Sequence, residues 1–395
     1  SVSADSIAFI HANDIWVVDR EGGNARRLTS DIGSESSPHF SPDGRMNAFT
    51  GQYGGNTDVY VVATAGGQPL RLTWHPGSDM AMGWTPGGKN VLFLSGREGH
   101  PTATSKFFTV PVAGGLPKAL PIPRANNGSI SADGRFIAYQ EVGFWDPEWR
   151  NYRGGQAQPI SVVSLEDYER VTPPWEGERH MNPVWLDGVV YYISERDYAA
   201  NLWSWNPRTK AEKQLSFHSD FDVKSLGAGA GRVVYEQGGF LHSLDPSTGT
   251  ARQLTITVAG DQNWVRPRWE DIQATRLRDA RLSPTGKRAL FEHRGDLFTV
   301  PAKEGSWRNI TQSQGVADRH AVWSPDGTKI AWFNDEGGEY GLVVADQNGA
   351  SPRRIEIPDP SFFFIPTWSP DGTHLAFTDT DYRVLILDLE SGAVT

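Results

Sequence analysis

Ten histidines, scattered acidic turns and one aromatic, arginine-rich stretch are the residues from which this sequence could build a reactive or binding site. The histidines are His11, His39, His75, His100, His180, His218, His242, His293, His320 and His374. None stands four residues from another and no His-Glu-x-x-His occurs, so the helical zinc-hydrolase arrangement is absent. A nucleophile elbow would place serine in Gly-x-Ser-x-Gly, which is missing too. The chain has no cysteine, which excludes disulfides, thiolate-bound metals and a thiol nucleophile. Asp43, Asp326 and Asp371 each stand alone in a Pro-Asp-Gly turn. A calcium loop of the EF-hand kind needs oxygen ligands at alternating positions and a glutamate at the twelfth, so these aspartates read as turn formers. Asp379-Thr380-Asp381 reads first as a hairpin loop. The sequence thus offers no catalytic residue, no metal site and no cofactor site.

A binding surface is better supported. Between strands ending near Tyr139 and starting near Ile160, residues Glu141 to Pro159 form an insertion holding Phe144, Trp145, Trp149, Arg150, Tyr152, Arg153 and Gly154-Gly155. Turns between paired strands commonly take two to five residues, so this one is several times too long for a connector. Aromatic rings supply contact area, and arginine grips a carboxylate with two parallel hydrogen bonds. Trp145, Trp149, Arg150, Tyr152 and Arg153 are therefore expected to contact a peptide or a neighbouring subunit. A second irregular loop, Gly96-Arg97-Glu98-Gly99-His100-Pro101, adds Arg97 and His100 as candidates.

The elements that must carry these loops repeat. Ser41-Pro42-Asp43-Gly44-Arg45 recurs as Ser324-Pro325-Asp326-Gly327-Thr328 and Ser369-Pro370-Asp371-Gly372-Thr373. Looser copies are Thr85-Pro86-Gly87-Gly88-Lys89, Ser131-Ala132-Asp133-Gly134-Arg135 and Ser283-Pro284-Thr285-Gly286-Lys287. Successive copies lie roughly 40–50 residues apart, the length of one four-stranded propeller blade. Proline presets the first corner of each turn, aspartate bonds its own backbone and glycine accepts positive φ. An aromatic often precedes the turn (Phe40, Trp84, Trp323, Trp368), and an apolar strand follows it, as in Val91-Leu92-Phe93-Leu94. A third strand such as Asp58-Val59-Tyr60-Val61-Val62 comes next, then a Gly-Gly turn and a short tail such as Arg27-Leu28-Thr29 or Arg71-Leu72-Thr73.

Nine such units start near Ser3, Ser41, Thr85, Ser131, Asp187, Gly229, Ser283, Ser324 and Ser369. The rhythm breaks after Thr255 and resumes at Ser283. The expected architecture is all-β: a six-bladed propeller over 1–262, a linker over 263–279, and about three blades of a second propeller over 280–395. Three blades cannot close a ring, so the second propeller is expected to be partial.

Composition narrows the partners. Apolar residues make up 38% and charged residues 21%, as in a globular chain, and the formal net charge is −10 with no block of Lys and Arg. A protein that tracks a phosphate backbone shows a basic face, so nucleic acid is not expected. No apolar run reaches the length of a membrane span.

Several irregular segments together resemble the tricorn-type peptidases. They are Asn13-Asp14-Ile15-Trp16-Val17-Val18 with Gly22-Gly23 and Arg26-Arg27-Leu28-Thr29; Gly55-Asn56-Thr57-Asp58-Val59-Tyr60; Leu72-Thr73-Trp74-His75-Pro76-Gly77 with Gly83-Trp84-Thr85-Pro86; Tyr152-Arg153-Gly154-Gly155; Val234-Tyr235-Glu236-Gln237-Gly238; and Ala259-Gly260-Asp261 with Val265-Arg266-Pro267-Arg268. The resemblance runs along essentially the whole chain. It implies a six-bladed propeller, then a seven-bladed one, then a PDZ-like module and a serine peptidase core that trims oligopeptides and assembles into rings. The propellers would guide peptides and scaffold a homo-oligomer, and the catalytic core would lie outside this sequence. The family's adjacent basic pair, which holds a peptide carboxylate, has no match here, because Arg26-Arg27 and Arg353-Arg354 fall in the repeat's own tail. Arg97 is the substitute anchor. Similarity to bacterial relatives favours a periplasmic or secreted location.

Two other readings compete. A non-enzymatic TolB-like binding propeller shares the Asp-Gly turns but carries a small helical domain before a single ring. A prolyl-oligopeptidase-like propeller would precede an α/β-hydrolase domain and use one ring, which the break after the sixth unit disfavours.

Overall fold

The computed structural model describes residues 1–99, 104–143, 152–260, 269 and 271–395. The chain divides into two compact units, Ser1–Gln262 and Asn263–Thr395. Among the described residues, regular structure is almost entirely antiparallel strand, and no helix is long and apolar enough to cross a membrane. The protein is an all-β propeller chain.

The Ser-Pro-Asp-Gly turn shows why the repeat folds locally. Ser41 Oγ donates to Asp43 Oδ1 at 2.6 Å and accepts the Met46 amide at 3.0 Å, while Asp43 accepts the Arg45 amide at 3.1 Å. Gly44 supplies the required φ of 72°. The same Ser–Asp bond recurs in Ser131–Asp133, Ser324–Asp326 and Ser369–Asp371. These donors hold the carboxyls of Asp326 and Asp371 down at about 2, the serine hydroxyl contributing most. The aspartates are thus occupied as turn formers.

Each turn joins the inner two strands of a sheet. Unit Ser1–Gln262 holds six four-stranded sheets among the described residues, with inner strands at Glu35–Phe40, Asp79–Trp84, Asn127–Ile130, His180–Leu186 and Val223–Gly229 for sheets 2 to 6. Sheet 1 contains Ser6–His11, Asp14–Asp19 and Gly23–Arg27, with a bridge from Val2 to Ile7 on its inner side. Its outer edge is completed from the far end of the unit, where Ile256–Val258 pairs parallel to Gly23–Arg27.

Alternate residues of a strand point to opposite faces, and here both faces are buried. Val59 and Val61 pack toward Phe93 and Phe108 of sheet 3, whereas Tyr60 and Val62 pack toward Ile15 and Val17 of sheet 1. Leu92 and Phe107 join Ile137 and Val163, Ala138 and Val162 join Val190 and Tyr192, and Ile193 and Leu202 join Val233 and Leu244. Val234 and Leu254 of sheet 6 then meet Val2, Ile7, Trp16 and Val18 of sheet 1. Every pair of successive sheets therefore shares one apolar layer, and the last shares one with the first. Each such buried side chain contributes about 1.5–3 kcal/mol.

The Arg-Leu-Thr tail clamps the outer strand. In sheet 2, Arg71 pairs with buried Asp58 at 2.5 Å, and Thr73 Oγ1 accepts the Val59 amide at 3.0 Å. Sheet 1 repeats this with Arg27–Asp14 at 2.5 Å and the Ile15 amide on Thr29 at 2.9 Å.

Among the described residues, unit Asn263–Thr395 holds three sheets, with first strands Arg278–Leu282, Asp318–Trp323 and Thr367–Trp368. Leu290, Leu297, Trp323 and Trp332 fill the first layer, and Phe333, Phe363, Phe377 and Leu387 the second. The first strand opens inside the stretch read as linker. Arg278 already pairs with Glu292, and a strand edge of charged residues leaves no apolar signal to read.

Candidate functional site

Antiparallel order puts two kinds of connection at one end of unit Ser1–Gln262: those between second and third strands, and those from an outer strand to the next sheet. The loop of Arg97, the insertion after Gln140 and the 172–179 connection all belong to this end. Trp74, Tyr198, Phe217 and Phe221 also lie in these connections, 72%, 66%, 77% and 60% exposed. Exposed aromatics gathered on one face of a stable scaffold mark contact surfaces.

Of the insertion, Tyr152 and Arg153 are placed, while Trp145, Trp149 and Arg150 lie outside the described residues, as does His100 of the Arg97 loop. The return leg of the insertion is tied to sheet 5. His180 N donates to Gln158 O at 3.2 Å, Ala157 N closes a turn on Gly154 O at 3.0 Å, and Ala157 and Ile160 are buried. Arg153 Nη1 pairs with Glu195 Oε1 at 3.0 Å, and the other Glu195 oxygen holds Arg179 at 2.6 Å. Glu195 and Arg179 are both buried, whereas Arg153 keeps 40% of its side chain exposed.

Beside this pair sits a second charged group. Glu178 Oε1 contacts His180 Nε2 at 2.8 Å and Arg196 at 3.0 Å, and Glu178 Oε2 accepts the Glu176 amide at 2.8 Å. Arg196 continues to Glu212 at 2.9 Å, and Glu212 accepts the Tyr192 hydroxyl. The Arg196 guanidinium also lies 4.3 Å from the Trp203 ring centre. Burial pushes the Glu178 carboxyl up, but the His180 contact and the backbone donors outweigh it, so it is held well below the usual carboxylate range. Burial pushes the His180 imidazole down despite Glu178. A neutral His180 donating from Nε2 to a charged Glu178 follows. Sequence reading missed this network. Its traces are the dense run Glu176-Gly177-Glu178-Arg179-His180 and the Glu195-Arg196 pair at a strand end.

Arg97 is anchored rather than reaching outward. Its Nη2 lies 2.6 Å from buried Asp79, its Nε donates to Ser95 at 2.9 Å, and the guanidinium lies 5.2 and 5.1 Å from the ring centres of Phe93 and Phe108. Only 16% of its side chain is exposed. The structure therefore brings Arg153 to the network on sheet 5 and leaves Arg97 on sheet 3 with a partner of its own.

The inner strands enclose an axial cavity of about 1380 Å³, to which all six sheets contribute; His39, Trp84, Ser129, Asn182, Trp185 and Ser225 are among its lining residues. Repeated four-stranded sheets, turn-capped inner strands and a shared axial cavity define the class: a β-propeller of the Asp-Gly-turn type. Residues 1–250 match the family described as the tricorn protease N-terminal beta propeller domain, and the chain belongs to that family. It is 27% identical to tricorn protease homolog 1 of Streptomyces coelicolor over 404 residues, covering 98% of this chain and 37% of that protein. It is 22% identical to the tricorn protease homolog of Saccharolobus solfataricus over 400 residues, covering 99% and 36%. A crystal structure of the tricorn protease superposes with a TM-score of 0.63 at 19% identity, covering 100% of this chain and 38% of that one, which shows a shared fold. The chain thus spans little more than a third of the length of these relatives.

Proposed function

We propose that this region serves a tricorn-like serine peptidase by guiding oligopeptides and by scaffolding the enzyme's assembly. Residues 1–262 act as a closed six-bladed propeller, and 280–395 as three blades of a second one. The axial cavity framed by all six inner strands carries this reading, because it gives an extended chain a passage lined by small polar groups such as Ser129, Asn182 and Ser225 and by aromatic rings such as Trp84 and Trp185. The end that bears the insertion is the contact face. Its exposed Trp74, Tyr198, Phe217 and Phe221 suit burial against the rest of the enzyme or a neighbouring subunit. The insertion, with Trp145, Trp149, Arg150, Tyr152 and Arg153, extends that face, and the Arg153–Glu195 pair fixes its base. Loops held on a rigid scaffold are where binding residues concentrate. Arg97 and His100 are the candidates on the neighbouring sheet's loop, Arg97 as the residue that fixes the loop's base through Asp79.

The test replaces Trp145, Trp149, Arg150 and Arg153 by alanine in the full-length protein. Loss of assembly, read by light scattering, or of peptide turnover is expected while the propeller stays folded. Unchanged assembly and turnover would show a passive loop. The isolated 395-residue chain is expected to hydrolyse no peptide, and turnover abolished by one substitution within it would overturn that.

A further inference from the structure

In unit Asn263–Thr395, three side chains from three strands meet at the joint between its first two sheets. Asp279 comes from Arg278–Leu282, Glu292 from Arg288–His293 and His320 from Asp318–Trp323. One ligand atom from each lies within 4.8 Å of the other two. His320 Nδ1 is 2.9 Å from Asp279 Oδ2, and Glu292 Oε2 faces the His320 amide at 3.5 Å. Glu292 is only 7% exposed, and the Asp279 and His320 side chains are 19% and 17% exposed.

Charge is the unusual feature. Two carboxylates face each other across a small, largely dry space, and such a pair is costly to bury without a counter-charge. Among the described residues, no Lys or Arg forms an ion pair with Glu292 or Asp279 within 4 Å; Asp279 pairs with the His320 ring, and Glu292 accepts the His320 backbone amide. Arg319 acts on Glu292 electrostatically, but its guanidinium lies over the Phe362 ring at 4.6 Å and reaches the Tyr340 hydroxyl at 3.3 Å. The buried Glu292 carboxylate therefore points into a cluster whose other members are a second carboxylate and an imidazole nitrogen.

We propose that Asp279, Glu292 and His320 bind one divalent transition-metal ion of the zinc class, cross-linking the first two sheets of this unit. Two carboxylate oxygens and one imidazole nitrogen suit such an ion, with water completing the shell. Metal–ligand bonds of about 2.0–2.2 Å place ligand atoms roughly 3–3.5 Å apart. The present spacing reaches that with small side-chain rotations. The Nδ1 atom of His320, now paired with Asp279, is the coordinating nitrogen. No helix or sequence motif announces the site, because its ligands come from a hairpin and the next sheet.

The experiment uses the 395-residue chain stripped with EDTA. Titration with zinc chloride by calorimetry should show one equivalent bound, and the unfolding midpoint should rise in a saturable way. Cobalt chloride should give a visible ligand-field band. E292Q keeps the shape of the buried side chain and should weaken zinc binding at least tenfold, as should H320A, each checked for native circular dichroism. H374A removes a surface histidine paired with Asp388 at 3.2 Å in the same unit and should change nothing. Absence of stoichiometric binding, binding unaltered in folded E292Q, or binding abolished by H374A would each overturn the site.

Discussion

Sheets 2 and 5 of the first unit face the same problem, tying a third strand to the outer edge and to the next connection, and solve it differently. Sheet 2 uses the repeat's own residues: Asp58 is buried, Arg71 stays 25% exposed, and Thr73 closes the clamp. Sheet 5 replaces that clamp with Asn201 and Ser216, which keep the backbone bond to Leu202 at 2.8 Å but carry no charge. Its charges lie at the same end but on the connection before its first strand and on its second strand, where Glu178, Arg179 and Glu195 are all buried. A lone clamp with a wet arginine tolerates error, whereas a buried network does not. The difference places the structural investment of the first unit where the long loop enters.

That contrast can be broken most directly at Glu195. Glu195→Ala removes the buried carboxylate that binds both Arg153 and the buried Arg179, and should cost about 3–5 kcal/mol in denaturant unfolding. A loss below that of a sheet 2 clamp variant would remove the contrast. Asp58→Ala should cost less, about 1–3 kcal/mol, because Arg71 still reaches solvent and the Trp74 face at 4.2 Å. Gly44→Ala, at φ 72° in a turn common to several sheets, should cost about 1–2 kcal/mol and leave both networks intact.

The smallest effect sharpens the comparison through pH. Burial holds the imidazoles of His180 and His242 below their ordinary value. The unfolded chain then binds protons that the folded chain does not, so their contribution is complete above about pH 6.5 and fades as pH falls below it. Glu178 is also depressed, but its contribution is lost progressively only as pH falls below its ordinary value of 4.5 toward its very low folded value, outside this window. Thermal unfolding between pH 7 and 5 should thus show falling stability, and His180→Gln should flatten part of that slope. An unchanged slope would mean that His180 binds protons equally in the folded and unfolded chain.

Much of the fold was legible because its signals are local. A Ser-Pro-Asp-Gly turn is written in consecutive residues, and its bonds run between positions two to five apart. The apolar strands were legible for the same reason. The charged network was not, since Arg153 meets Glu195 42 residues away, and Glu178 reaches Arg196 18 residues on. The Arg-Leu-Thr tail was visible as a pattern while its purpose was hidden, because Asp58 lies 13 residues from Arg71. Arg97 was read as an anchor from its loop, yet Asp79, 18 residues earlier, takes its guanidinium.

The sequence by itself determined the turns, the strands and the repeat that spaces them, because proline, glycine and aspartate act on their own backbone and a two-residue period decides which faces meet. Only the tertiary structure decided which charges share a site. Stacking the sheets brings their ends together irrespective of sequence distance, and the free energy of a buried charge depends on what that stacking sets beside it. That is why Glu195 gathers two arginines, and why Asp279, Glu292 and His320 converge on one point.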